Sequence, residues 1–261
     1  MTSSFFPHLH TAHPSGHPFA VANAAGDIPV CVTQPIPCAH SEMLFVPAQE
    51  FWMGEGDEAH IVNIAKFYIA QYPVTNAAYQ RFITTSGYPP PTNWPVGLYF
   101  EWISDHPVVN VNWQDAWAYC RWLTTETDQY FHLPTEAQWE AAARGPEGLT
   151  YPWGNEFDKA RSNSWEACIG RTTPVDAFPD GASPYRVMDL VGNVWEWCST
   201  VFADYPYRVG DGREELGTNE WRVLRGGSWL DAEWGVRAAR RLSGHPDYAS
   251  RNTGFRVACG T

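Results

Sequence analysis

The feature that most constrains this chain is the scarcity of long periodic segments in a sequence rich in tryptophan. The 261 residues include 14 tryptophans, 21 glycines and 21 prolines. After Gly145, short apolar segments alternate with Gly, Pro, Asp and Asn, which predicts turns and short strands and no further long helix. Because each indole ring brings a large apolar surface, an irregular body of this kind can still bury a sizeable core.

Two segments carry strong helix signals. Asn112 is placed to cap a helix over Trp113–Thr124, where apolar residues recur at helical spacing. The segment Thr135–Gln138 matches a capping box and opens a helix through Ala143 that ends at Gly145. Both apolar stripes are typical of core faces. The sequence therefore predicts an α+β fold with two main helices on small antiparallel sheets.

The region before these helices predicts shorter elements. Alternating apolar residues from Met43 indicate a strand that turns at Gly54–Gly56, followed by a second strand over Ile61–Ile69. A capped helix is expected over Asn76–Thr84. The stretch Gly87–His106 is rich in proline and is expected to be a long loop.

The charge balance and the lengths of the apolar runs each exclude one class of partner. The chain carries 17 Lys and Arg against 29 Asp and Glu, a formal net charge of −12. Affinity for nucleic acid comes mostly from Lys and Arg, so no nucleic-acid partner is expected. No apolar run approaches the ~20 residues that span a bilayer, so no membrane partner is expected. Without a secretory signal pattern at the N-terminus, we expect a cytoplasmic protein that is a monomer or a weak oligomer.

The composition changes near residue 40, which predicts a proline-containing and histidine-containing N-terminal arm over residues 1–40 and one domain over residues 41–261. The histidines of the arm are His8, His10, His13 and His17. They could bind a metal, but no acidic partner or helical spacing supports a site. The six scattered cysteines are expected to be mostly buried thiols, although Cys31 and Cys38 could form a disulfide in an oxidising compartment.

Seven short motifs occur in order along the predicted domain. They are Tyr72-Pro73-Val74-Thr75-Asn76, Pro107-Val108-Val109-Asn110-Val111, Leu133-Pro134-Thr135-Glu136-Ala137, Tyr151-Pro152-Trp153-Gly154, Gly192-Asn193-Val194-Trp195-Glu196-Trp197, Arg225-Gly226-Gly227-Ser228-Trp229 and Gly254-Phe255-Arg256-Val257. With these motifs the chain resembles the formylglycine-generating enzymes, or sulfatase-modifying factors, from about Met43 to Ala258. The resemblance implies an irregular, loop-rich variant of the C-type lectin fold with bound calcium.

The resemblance implies less about chemistry. In catalytically active members, two cysteines downstream of the Gly-Gly-Ser motif bind copper and activate oxygen, which oxidises a sulfatase cysteine to formylglycine. Asp231 and Val236 occupy those positions here. Copper(I) is a soft ion that prefers thiolate, so a carboxylate and a valine cannot replace the pair. Formylglycine-generating activity is therefore not expected, and no catalytic residue is predicted.

One calcium site can be argued from the residues. Asp189 and Glu196 lie seven positions apart around a glycine that permits a sharp turn, and calcium takes carboxylate and carbonyl oxygens. The resemblance implies these two side chains and the carbonyls of Gly192 and Val194 as ligands. In the alternative interpretation, Asp189 caps the turn and Glu196 accepts hydrogen bonds from backbone amides.

A second calcium site is implied by the resemblance alone. It would begin at Asn163 and the carbonyl of Ser164. The segment after Ser164 is shorter than in the catalytic enzymes and lacks the aspartate that they supply. A site completed by the carbonyls of Cys168 or Gly170 remains open.

The segment Ser228–Arg256 is the candidate binding region. It resembles the substrate groove of the enzymes and the diversified surface of retroelement variable proteins. The candidate ligand-binding residues are Trp229, Asp231, Glu233, Trp234, His245, Tyr248 and Arg251. Rigid aromatic and adaptable polar side chains together are typical of binding surfaces. These side chains could instead close one end of the domain, and Asp231 with His245 could form an acid–base pair.

The leading hypothesis is a calcium-stabilised, non-catalytic domain that binds a protein or small-molecule ligand through this C-terminal groove. The alternative is a metal-dependent oxidoreductase with a non-cysteine site, resembling the pyoverdine-maturation proteins or the sulfoxide synthases. A third hypothesis is an accessory module whose arm docks on a larger complex. Calcium is the only cofactor predicted.

Overall fold

The computed structural model describes residues 41–260. The arm histidines, Cys31 and Cys38 lie outside the described residues. Within that range the helices are α1 (Asn76–Ser86), α2 (Trp113–Thr127) and α3 (Glu136–Arg144). The strands are β1 (Met43–Val46), β2 (Gln49–Met53), β3 (His60–Ile64), β4 (Phe67–Ala70), β5 (Phe131–His132), β6 (Trp195–Val201), β7 (Arg222–Arg225), β8 (Arg241–Gly244), β9 (Thr253–Gly254) and β10 (Ala258–Gly260). This arrangement confirms the α+β class.

Each helix begins where its cap predicts. The Asn112 side chain accepts a hydrogen bond from the Asp115 amide at 2.8 Å, and the Asp115 carboxylate accepts one from the Asn112 amide at 2.9 Å. Thr135 and Gln138 form the equivalent box at α3. Past the predicted ends, helix α1 continues for two residues and helix α2 for three, because a left-handed residue, Gly87 or Asp128, ends each of them.

The strands pair differently from the predicted hairpin. β1 pairs with β4, while β2 pairs with β3, so the single strand expected over Ile61–Ile69 is divided between two sheets. The three sheets have the orders β1-β4-β10-β5, β2-β3 and β8-β7-β6-β9. Among the described strands, β6 and β9 form the one parallel pair, against the expectation of antiparallel sheets. Residues 245–252 connect β8 to β9, and β9 runs in the same direction as β6.

Aromatic side chains fill the space between the helices and the sheets. Tyr79 of α1 and Tyr119 of α2 stack with ring centroids 5.9 Å apart, and Phe255 packs against both rings. Trp139 and Trp197 are completely buried. Five of the described tryptophans are nevertheless exposed: Trp52, Trp102, Trp165, Trp221 and Trp234. The prediction that tryptophan builds the core therefore holds for only part of the described tryptophans.

None of the described helices is long and apolar enough to cross a membrane.

Candidate functional site

The sequence did not predict a buried ionic network that joins α3 to β7 and β8. Glu136 of α3 accepts hydrogen bonds from Arg241 with both carboxylate oxygens, at 2.5 and 3.0 Å. Glu140, one turn later, accepts from Arg225 and from Arg144. Burial lowers the pKa of the Arg225 guanidinium to about 10, against the opposing charge of Glu136.

This network connects α3 to β7 and β8 through paired charges. Glu136, Glu140 and Arg225 are completely buried, so loss of one partner would leave an uncompensated charge in the interior. The available signal was the spacing of Glu136 and Glu140, which puts both carboxylates on the helix face that faces the core. The sequence reasoning treated that stripe as apolar.

The Asp189–Glu196 loop brings its two carboxylates into the interior. Glu196 accepts hydrogen bonds from Arg256 Nε at 2.6 Å and Nη2 at 2.7 Å, and from the indole N–H of Trp139 at 2.8 Å. The alternative interpretation, in which Glu196 accepts hydrogen bonds from backbone amides, is therefore wrong for Glu196. Its donors among the described residues are the side chains of Arg256 and Trp139. One acceptor position on Glu196 Oε1 remains without a described donor.

Asp189 is less well compensated than Glu196. Its backbone is left-handed, with φ of +55°, a conformation that Asp tolerates better than most residues. Its carboxylate accepts a hydrogen bond from Asn193 Nδ2 at 2.9 Å. Burial raises the pKa of the Asp189 carboxyl to about 7, and the Glu196 charge adds to that rise, while Arg256 opposes it.

The structure places Asn163 beside this loop. Its amide nitrogen donates to the Arg171 carbonyl at 2.9 Å and to Asn193 Oδ1 at 3.3 Å. Its Oδ1 atom is buried without a hydrogen-bond partner among the described residues. The Ser164 carbonyl accepts from the Ala167 amide at 3.1 Å. Hydrogen bonds through Asn193 thus join Asn163, of the second predicted calcium site, to Asp189, of the first.

The groove residues differ in exposure. Trp229 is buried, Asp231 and His245 are half-buried, and the exposed members are Glu233, Trp234, Tyr248 and Arg251. The guanidinium of Arg251 lies 5.1 Å from the ring centroid of Trp229. Asp231 accepts hydrogen bonds from Ser228 Oγ at 2.6 Å and from the Trp195 indole at 2.9 Å. Asp231 therefore fixes the turn after the Gly-Gly-Ser motif.

Glu233 and Trp234 lie on a short 3₁₀ turn over Glu233–Gly235. The Trp234 side chain is 66% exposed. The Glu233 amide donates to Glu166 Oε1 at 2.9 Å, which ties the turn to the segment after Ser164. Both residues line an open cleft against the segment around Tyr151.

His245 and Asp231 have different hydrogen-bonding partners. Its Nδ1 atom is 3.6 Å from Asp247 Oδ2, and its Nε2 atom is 3.4 Å from Asn219 Nδ2. The hydrogen bonds of Asp231 go to Ser228 and Trp195. The structure therefore gives the two members of the considered acid–base pair separate sets of partners.

With this geometry established, comparison with known proteins identifies the family. The model for the sulfatase-modifying factor enzyme 1-like domain matches residues 31–260. The chain belongs to this family. Over 172 residues, this sulfatase-modifying-factor domain is 40% identical to the inactive C-alpha-formylglycine-generating enzyme 2 of Bos taurus, which covers 60% of this chain and 51% of the bovine protein. It therefore spans about half the length of that relative.

Solved structures agree with the fold of this sulfatase-modifying-factor domain. PvdO from Pseudomonas aeruginosa has a TM-score of 0.71 at 25% identity, covering 85% of this chain and 95% of that one. Treponema denticola variable protein 1 has a TM-score of 0.70 at 24% identity, covering 84% and 95%. These likenesses confirm the irregular, C-type-lectin-like α+β fold of the formylglycine-generating-enzyme type.

Asp231 and Val236, which occupy the two positions of the enzymatic cysteines, both have structural roles. Val236 is completely buried in the core, and Asp231 is occupied by its hydrogen bonds. The thiols of Cys120, Cys198 and Cys259 are buried, and that of Cys168 is exposed. Among residues 41–260, no group of three or more His, Cys, Asp or Glu side chains is arranged to hold a metal ion.

Proposed function

We propose that this domain is a non-catalytic binding member of the sulfatase-modifying-factor family. One observation carries the proposal: neither residue at the two positions of the enzymatic cysteines presents a soft ligand to an open site. The Asp231 carboxylate accepts hydrogen bonds from Ser228 and Trp195, and the Val236 side chain is buried in the core. Neither residue can hold copper(I), which prefers thiolates.

The surface around these positions supports a binding role. Trp234 and Tyr248 are exposed within the same C-terminal segment, while Trp229 lies buried beneath Arg251. Rigid aromatic rings supply contact area at a low cost in side-chain entropy. The proposed partner is a protein or small molecule, and the proposed contact residues are those of the predicted groove.

A turnover assay tests the non-catalytic role. We expect no formylglycine from a Cys-x-Pro-x-Arg peptide incubated with the protein, copper(I) and oxygen, as measured by mass spectrometry. A catalytically active member of the family is the positive control under the same conditions. Copper-dependent formation of formylglycine by this chain would refute the proposal.

We also propose calcium at the Asp189–Glu196 loop. The residues fit a hard cation: both carboxylates are buried, Arg256 forms its ion pair with Glu196, and no ion pair to Asp189 is formed among the described residues. The carbonyls of Gly192 and Val194 complete the proposed ligands with Glu196 Oε1. The unpartnered Oδ1 of Asn163 supports a second ion that also uses the Ser164 carbonyl. Calcium would supply charge balance and rigidity to the loop.

Calcium dependence can be measured directly. We expect calcium to raise the melting temperature of EDTA-treated protein at pH 8, and Asp189→Asn to abolish that rise. Asparagine retains an oxygen for Asn193 and tolerates the left-handed backbone, so the variant is expected to fold. Asp158→Asn, on the surface, is the matched control. An equal response of wild type and Asp189→Asn to calcium would contradict the proposed site.

The oxidoreductase alternative remains a prediction with its own test. Metal analysis of the purified full chain would support it if stoichiometric iron or copper were lost on substitution of Asp231, His245 or an arm histidine. Calcium alone would support the binding role.

A further inference from the structure

His60, the first residue of β3, joins two parts of the chain through both of its ring nitrogens. The backbone amide of Tyr207 donates a hydrogen bond to its Nε2 atom at 2.8 Å. Its Nδ1 atom lies 2.8 Å from the carbonyl oxygen of Glu58. Tyr207 belongs to the loop of residues 202–221 between β6 and β7. The imidazole therefore connects this loop to the β2–β3 hairpin.

These two partners allow only one protonation state of the His60 ring. A backbone amide can only donate, so Nε2 must be unprotonated, and a carbonyl can only accept, so Nδ1 must carry the proton. The neutral Nδ1–H tautomer satisfies both contacts. The charged ring cannot, because its second N–H group would face the N–H group of Tyr207.

The loop covers apolar side chains where His60 holds it. The Tyr207 ring is buried and packs in one cluster with Phe51 and Met53 of β2. The Tyr205 ring makes an edge contact with the His60 ring, with centroids 4.8 Å apart. Loss of the hydrogen bond to His60 would therefore loosen the cover of this cluster.

Other titratable and charged groups surround His60 and its two tyrosine neighbours. They are Glu58 of the preceding 3₁₀ turn, Arg213 and Glu214 of the loop, Glu136 and Glu140 of α3, and Arg241 of β8. Glu136 is paired with Arg241, and the Glu58 side chain is exposed. Glu214 accepts from the Tyr207 hydroxyl at 2.7 Å, and burial raises the pKa of its carboxyl. Its titration must therefore be separated from that of His60.

We propose that His60 is a pH-sensitive latch, whose protonation releases the Tyr207 part of the loop from the β2–β3 hairpin in mildly acidic solution. An imidazole ordinarily titrates near pH ~6.5. His60→Gln separates the hydrogen bond from the titration. The glutamine carbonyl can accept from the Tyr207 amide and its NH₂ group can donate to the Glu58 carbonyl, but the side chain does not titrate.

Two NMR measurements on the full chain test the latch. At pH 8, the ¹⁵N shifts of the His60 ring report which nitrogen carries the proton, and we expect it on Nδ1. Hydrogen exchange, corrected for the intrinsic rate, gives the protection of the Tyr207 amide as the pH falls. We expect this protection to fall about tenfold for each unit below about pH 6.5, following the ratio of charged to neutral imidazole.

Two controls accompany the exchange measurement. The Trp139 amide donates to the Thr135 carbonyl within α3 and reports global unfolding, so its protection should change little. In His60→Gln, the protection of the Tyr207 amide should be independent of pH over the same range. The tautomer and the wild-type exchange require no variant, so they test the latch even if His60→Gln does not fold.

A proton on Nε2 of His60 would refute the latch. So would constant protection of the Tyr207 amide in wild type, or an equal loss of protection at Trp139. A loss that persists in His60→Gln would assign the effect to Glu214 and also overturn the proposal.

Discussion

At the scale of single residues, the interior contains polar groups whose protonation affects stability. Glu214, in the segment between β6 and β7, accepts hydrogen bonds from Thr200 and Tyr207 at 2.7 Å each and from Ser199 at 3.1 Å. Burial raises the pKa of its carboxyl, the nearby charge of Glu136 adds to the rise, and the three hydroxyl donors oppose it. The folded state therefore holds the proton of this carboxyl more tightly than the unfolded chain does.

Glu214→Gln tests this assignment. A raised native pKa gives stability that is fully present below the usual glutamate pKa of about 4.3 and lost as the pH rises through the native value. Glutamine keeps an acceptor for Thr200 and Tyr207, and its amide can donate to Ser199. We expect the variant to have a larger free energy of unfolding than wild type at pH 8 and no advantage below about pH 4. Urea unfolding measures both, and a constant difference across pH would contradict the assignment.

At the scale of elements, local capping explains where the helices start. The Asn112 box satisfies two amides at the first turn of α2 without any distant residue. The strands behave differently: β4 pairs with both β1 and β10, one preceding it and the other at the far end of the chain. Helix starts were therefore predictable, and strand partners were not.

The α2 cap should be measurable on its own. Asn112→Ala removes the acceptor for the Asp115 amide, and we expect a loss of about 1 kcal/mol in the free energy of unfolding. Thr125→Ala, on the exposed side of the same helix, is the control and should change stability little. A loss in the control as large as in Asn112→Ala would show that the cap is not responsible.

At the scale of the whole molecule, the C-terminal strand holds the fold together. β10 lies between β4 and β5. Just before it, the buried Arg256 guanidinium pairs with Glu196 and donates to the carbonyls of Ala70 and Met188. The predicted calcium loop is thus held by residues near the C-terminus.

Two truncations test this dependence and the predicted domain boundary. A chain ending at Asn252 lacks β9, Arg256 and β10, and we expect it to lose cooperative thermal unfolding by circular dichroism. A chain of residues 41–261 is expected to melt at the temperature of the full chain. A lower melting temperature of that fragment would show that residues of the arm stabilise the domain. If the fragment melts normally but loses partners in a pull-down, the accessory-module hypothesis gains support.

The amino-acid sequence by itself determined the caps, the family motifs and the absence of cysteines at positions 231 and 236, because each depends on residue identity and near neighbours. The tertiary structure decided what the side chains at those positions do. Asp231 is occupied by Ser228 and Trp195, Val236 is buried, and Glu196 pairs with Arg256 sixty positions away. The pairing of β6 with β9 and the gathering of Tyr151 beside Trp234 likewise arise only on folding. A charge acquires its partner when distant segments pack together, and local spacing carries little information about which segments those are.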